Sequence, residues 1–184
     1  LNAEIVDRII FGNTQLASFW GNSHGWAPQE AADLMSKSRL DWQIELSKTL
    51  KLWDFQEAGH GQLILAWANL GALIEGTLKL FLAAYYLDYV KDAENFKIKG
   101  KIVDPDSLAL EKLKQFYRKR ELLNELWFPY IDLVQQRRNA IHAFKDRPTG
   151  DKVEFEECVY RYLDLMITIN GMLPYPDKSY EPHF

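Results

Sequence analysis

Residues 63–87 read LILAWANLGALIEGTLKLFLAAYYL, and the fold class turns on whether this run crosses a membrane or forms the buried helix of a bundle. Leu63, Trp67, Leu70, Ile74, Leu78, Phe81 and Tyr85 recur at steps of four and three, which places them on one helical face. Glu75 and Lys79 stand near the middle of the run and Asn69 interrupts its first half, and charges at bilayer depth are costly. The segment therefore reads as the central helix of a soluble bundle. It is expected over about Gln62 to Asp92, roughly 45 Å at the α-helical rise.

Helical signals continue on both sides of this spine. Ile5, Ile9, Leu16 and Phe19 predict a first helix ending at the Gly21 to Gly25 loop, and Pro28 opens a second whose face runs through Leu34, Leu40, Ile44, Leu50 and Trp53. After the spine, Asn95 to Val103 is a basic connector, loop or short strand, in which Lys97, Lys99 and Lys101 alternate with apolar residues. Asp104 and Pro105 start a helix through about Leu123, and Trp127-Phe128-Pro129 start another that runs to about Lys145. Asp151 with Glu154 resembles a capping box for the last helix, which Gly171 and Pro174 end. The expectation is an all-α, up-and-down bundle of five or six helices. Residues 1–58 form an N-terminal helical extension, 59–173 the bundle, and 174–184 an extended tail.

Composition bounds the function. The chain has 184 residues, 47% of them hydrophobic and 26% charged, which suits one globular unit with a real core. A net charge of −4 argues against coating nucleic acid by overall basicity and leaves room for a local basic cleft. The single cysteine, Cys158, excludes an internal disulfide and favours a reducing compartment. With no secretory signal read at the first residues, the cytoplasm is the expected location.

The segment Gln136-Arg137-Arg138-Asn139-Ala140-Ile141-His142-Ala143-Phe144 carries the chemistry. Tyr130, Val134, Ile141 and Phe144 form an apolar stripe with Arg137 in its middle, and a cation there requires a carboxylate partner or an anion-receiving cleft. On a continuous helix His142 would share a patch with Arg138 and Asn139. Imidazole moves protons near neutral pH and guanidinium holds phosphate oxygens, so the group suits an anionic substrate. Equally, Arg137 could form an internal ion pair while Arg138 stays solvated. Glu75, a carboxylate in the most apolar helix, is the expected partner of Arg137, with an intrahelical pair to Lys79 as the alternative.

Arg137, four intervening residues that include Asn139, then His142, together with the earlier helix reading Ala72-Leu73-Ile74-Glu75-Gly76, resembles the HEPN superfamily (higher eukaryotes and prokaryotes nucleotide-binding). The resemblance covers about Gly61 to Leu173. It implies a homodimeric helical bundle in which two Arg/His motifs meet in a cleft. It also implies a metal-independent endoribonuclease or RNA-binding protein of the toxin–antitoxin, phage-defence or RNA-processing kind, with an antitoxin protein as a possible partner and no cofactor. His142 would be the general acid/base, Arg137 the phosphate clamp and Asn139 the polar motif residue, while Arg138, Lys145 and Arg147 would hold substrate and Glu75 would support the site. Members controlled by a nucleotidyltransferase carry a tyrosine two residues after the histidine; Phe144 stands here, which excludes nucleotide modification at that position.

Two further readings remain open. A non-catalytic helical interaction module or nucleotide-binding bundle would use the same motif only for assembly or binding. A small-ligand protein would use Trp20, His24 and Trp26, and predicts an aromatic pocket away from the Arg/His helix. No two histidines have helical metal-ligand spacing, so no metal site is expected.

Overall fold

The computed structural model describes residues 1–55, 57, 59–142 and 146–184. Eight α-helices occur among them: α1 Ala3–Trp20, α2 Gln29–Lys37, α3 Leu40–Thr49, α4 His60–Ala84, α5 Tyr86–Lys91, α6 Leu110–Lys119, α7 Trp127–Arg138 and α8 Lys152–Asn170. The only sheet among the described residues is a hairpin of β1 Lys97–Ile98 and β2 Lys101–Ile102, paired antiparallel. The chain is therefore all-α, as the periodicity implies.

The spine is the core of the bundle. In α4, Trp67, Leu70, Leu73, Ile74 and Leu78 are completely buried, and the helix packs on α2, α3, α6, α7 and α8. Its length and hydropathy would allow a membrane crossing, yet most of its apolar window is buried against the other helices. The opposing surfaces come from Phe128, Ile131 and Val134 of α7 and from Phe155, Val159, Tyr162, Leu165 and Met166 of α8. Val6, Ile9, Leu16 and Trp20 of α1 belong to the same continuous core, so the N-terminal segment is built into the bundle.

Several helix boundaries differ from expectation. The single helix read from Pro28 to Trp53 is broken at Ser38-Arg39, where extended backbone separates α2 from α3, and it finishes as a 3-10 turn over Leu50–Trp53. The spine stops at Ala84, with Tyr85 turning the chain before α5. Asp104-Pro105 starts a 3-10 turn, Pro105–Ser107, and α6 begins only at Leu110. The Asp104 carboxylate instead accepts a hydrogen bond from Tyr86 Oη at 2.8 Å. The tail after Leu173 folds back: Asn170 Nδ2 donates to Pro182 O at 2.9 Å, and Arg8 Nη2 donates to Phe184 O at 3.2 Å.

Four helices meet at the buried Tyr162 hydroxyl. Thr77 Oγ1 of α4 lies 3.1 Å from it, Gln43 Nε2 of α3 donates at 3.3 Å, and Asn13 Nδ2 of α1 donates at 3.4 Å. Each of these side chains also bonds a backbone carbonyl, so removing the hydroxyl leaves none of them without a partner. Tyr162→Phe is accordingly expected to cost about 1 kcal/mol, within the ordinary net worth of hydrogen bonds. A urea denaturation series measures it, and a loss above about 3 kcal/mol would mean that the hub does more than fill hydrogen bonds.

Candidate functional site

The two consecutive arginines at the end of α7 face different neighbours, because one residue on a helix is a rotation of about 100°. Arg137 continues the Tyr130-Val134 edge and turns toward α8. Its Nε and Nη2 each donate to a different Glu154 oxygen at 2.9 Å, a two-pronged ion pair, while Nη1 donates to Pro148 O at 2.8 Å. The side chains are 14% and 27% exposed, so water screens this pair only weakly.

The same contacts secure the segment leading into α8. Trp67 Nε1 of α4 donates to Thr149 O at 2.7 Å, and His60 Nδ1 lies 2.9 Å from Thr149 Oγ1. Asp151 caps α8 by accepting from Glu154 N at 2.9 Å. The expected reciprocal half of a capping box is not formed by Glu154, whose carboxylate is given to Arg137 instead.

Arg138 continues the Ile131-Val134 edge and lies on α4. Gly71 permits this approach: a Cβ there would come within 2.5 Å of Arg138 Cδ. Arg138 Nη1 donates to Glu75 Oε2 at 2.9 Å, and Lys79 Nζ donates to Glu75 Oε1 at 2.8 Å. The expected Arg137–Glu75 pair is therefore replaced by Arg138–Glu75, and the intrahelical pair with Lys79 is present as well. Glu75 Oε2 additionally accepts from Leu110 N, the first residue of α6, at 3.2 Å. Arg138 is thus engaged and only 30% exposed, which corrects the reading of it as a solvated side chain.

Burial opposes ionisation of Glu75, but hydrogen bonds from Lys79 and Arg138 and their charges outweigh it and hold the carboxyl below its ordinary range. A carboxyl depressed in the folded state contributes stability that is fully present above its unfolded value of about 4.3 and is lost as pH falls through the lower folded value. Glu75→Gln should therefore flatten the acid limb of the stability curve below about pH 4. Thermal unfolding of both proteins between neutral and acid pH tests this; parallel acid limbs would refute it.

The Arg/His segment itself is shorter as an α-helix than expected. Helix α7 ends at Arg138 and continues as a 3-10 turn, Asn139–Ile141, with His142 N donating to Asn139 O at 3.2 Å. Three residues per turn in place of 3.6 rotate His142 away from Arg138, four positions back, and bring it over Asn139, three positions back. No side-chain hydrogen bond links these three among the described residues. His142 is exposed, and Asn139 is half-buried. Arg147 Nε is buried without a hydrogen-bond partner among the described residues. Phe144 and Lys145 lie outside the described residues.

Arg138, Glu75 and Lys79 line a cavity of about 450 Å³ between α1, α3 and α4. Arg39, Trp42 and Gln43 line it as well, and none of them carried a sequence motif. Arg137 and His142 do not line it. The alternative aromatic site is only partly assembled. Phe19 and Trp26 line a hollow of about 310 Å³ with Tyr180, but Trp20 is buried and His24 turns to Asp33 at 3.0 Å.

Comparison of the chain with protein-family models, with curated protein sequences and with solved structures finds no match.

Proposed function

We propose that this chain is a HEPN-like helical protein that binds RNA and cleaves it as a homodimer without a resident metal, using His142 for proton transfer and Arg138 to stabilise the phosphate. The observation that carries this reading is the placement of an exposed imidazole, without a side-chain hydrogen bond among the described residues, at the end of the 3-10 turn that follows two arginines. The O2′ of RNA forms a bond to the adjacent phosphorus while the P–O5′ bond breaks. One His142 accepts the 2′-hydroxyl proton, and a protonated imidazole of the second copy donates one to the departing O5′. Guanidinium offsets the charge that develops on the phosphoryl oxygens.

Assigning the phosphate role to Arg138 departs from the motif spacing, which selects Arg137. The guanidinium of Arg137 already spends its three nitrogens on Glu154 and Pro148, whereas among the described residues Arg138 commits Nη1 alone, to Glu75 and Gly71. A role in toxin–antitoxin, phage-defence or RNA-processing systems follows from the HEPN-like reading. Asn139 would orient the turn between the two functional groups.

The second reading, a non-catalytic helical module, is favoured by that two-pronged Arg137–Glu154 pair, which gives the motif arginine a complete structural occupation. Incubating RNA with the protein in EDTA, with His142→Ala, Arg138→Ala and Arg137→Ala beside the wild type, separates the two. Cleavage that depends on His142 supports the nuclease; no cleavage of any RNA leaves the module.

A further inference from the structure

The cavity between α1, α3 and α4 has the construction of a ligand site, and it shares Arg138 with the site proposed above. It follows α4 from Ala72 to Ala83, about 16 Å at the helical rise. Leu16, Leu46 and Leu80 supply apolar walls. The floor is polar and already ordered: Gln43 Nε2 is fixed by Leu73 O at 2.8 Å and by the Tyr162 hub, and Gly76 leaves room for it, since a Cβ there would fall 2.2 Å from Gln43 Oε1. A volume of about 450 Å³ lies within the range that holds small molecules.

Charge selects the class of occupant. Four cations, Lys37, Arg39, Lys79 and Arg138, line the cavity against two carboxylates, Glu75 and Asp106. Arg39 is held by Asp41 through Nε at 2.8 Å and stacks over Trp42 at 4.0 Å, while Lys79 shares Glu75 with Arg138. Lys37 makes no ion pair among the described residues. The surplus is thus a small positive charge beside an apolar slot, which suits a single anionic headgroup better than a polyanion. We infer that this cavity binds a small monoanionic amphiphile, its carboxylate or equivalent headgroup at Lys37 and Lys79 and its hydrocarbon or aromatic body against Leu16, Leu46 and Leu80.

Titrating the full chain with anilinonaphthalene sulfonate, a fluorescent aromatic monoanion, tests the inference. Saturable enhancement is expected, displaced by decanoate and not by decyltrimethylammonium. The double variant Lys37→Gln/Lys79→Gln should weaken binding about tenfold, and Ala72→Phe, a substitution at a half-buried wall position, should abolish it. Thermal midpoints identify any variant that has failed to fold, and two unrelated substitutions keep the result readable if one does. Absence of saturable binding, or binding that both folded variants leave unchanged, overturns the inference. So does a wild-type dimer that Ala72→Phe dissociates in sedimentation velocity, which would assign the groove to a second copy of the chain.

Discussion

Replacing His142 by alanine is expected to lower RNA cleavage by about 10²–10⁴-fold, the usual contribution of a positioned general acid/base. The fold should be indifferent to the change, because the ring is exposed and makes no side-chain hydrogen bond among the described residues. Activity and thermal midpoint therefore part company in this variant. Arg138→Ala should also impair cleavage, by about 10²-fold or more if its guanidinium stabilises the transition state. That variant additionally strips Glu75 of one partner, so its rate must be compared with that of Glu75→Gln, which frees the guanidinium without removing it. Arg137→Ala should change the rate per folded molecule little. Wild-type cleavage by His142→Ala removes the imidazole from the reaction, and a loss of rate confined to Arg137→Ala restores the role that motif spacing gives that residue.

The amino-acid pattern made the bundle readable because the spine repeats a buried side chain at almost every turn, from Leu63 through Leu78. The breaks were less legible. Neither Ser38-Arg39 nor Tyr85 is a glycine or proline, and α7 leaves α-helical geometry after Arg138 with no punctuating residue. Tertiary packing ends these helices, and periodicity alone contains no record of it. The site was legible as a group of charged residues, whereas its pairing was not. Glu154 looked like a cap because it stands three residues after Asp151, and its actual partner is 17 positions earlier on α7. Adjacent arginines on the two borders of one apolar stripe meet different helices, so recognising that buried cations need carboxylates did not reveal which carboxylate each would take. Trp42, Gln43 and Arg39 belong to the cavity only because α3 lies across α4, a fact of three-dimensional placement.

The Arg137–Glu154 pair decides how far the motif arginine can serve chemistry, and a double-mutant cycle can measure it. Truncating either partner leaves the other with an uncompensated charge in a poorly hydrated place. For a fully buried pair that costs about 3–5 kcal/mol. Exposures of 14% and 27% reduce the expectation for Arg137→Ala and for Glu154→Ala to about 2–3 kcal/mol each. The double variant should cost little more than either single one, giving a coupling of about 2 kcal/mol in urea denaturation. Arg137→Lys should recover only part of it, since an ammonium cannot present the parallel donors that reach both Glu154 oxygens. The same cycle should loosen the approach to α8, because Arg137 also holds Pro148 O; faster proteolysis near residues 146–151 would follow. Additive single-variant effects would show that the two side chains do not depend on each other. Arg137 would then be free to leave Glu154 for a phosphate, and the division of labour assigned to the two arginines would reverse.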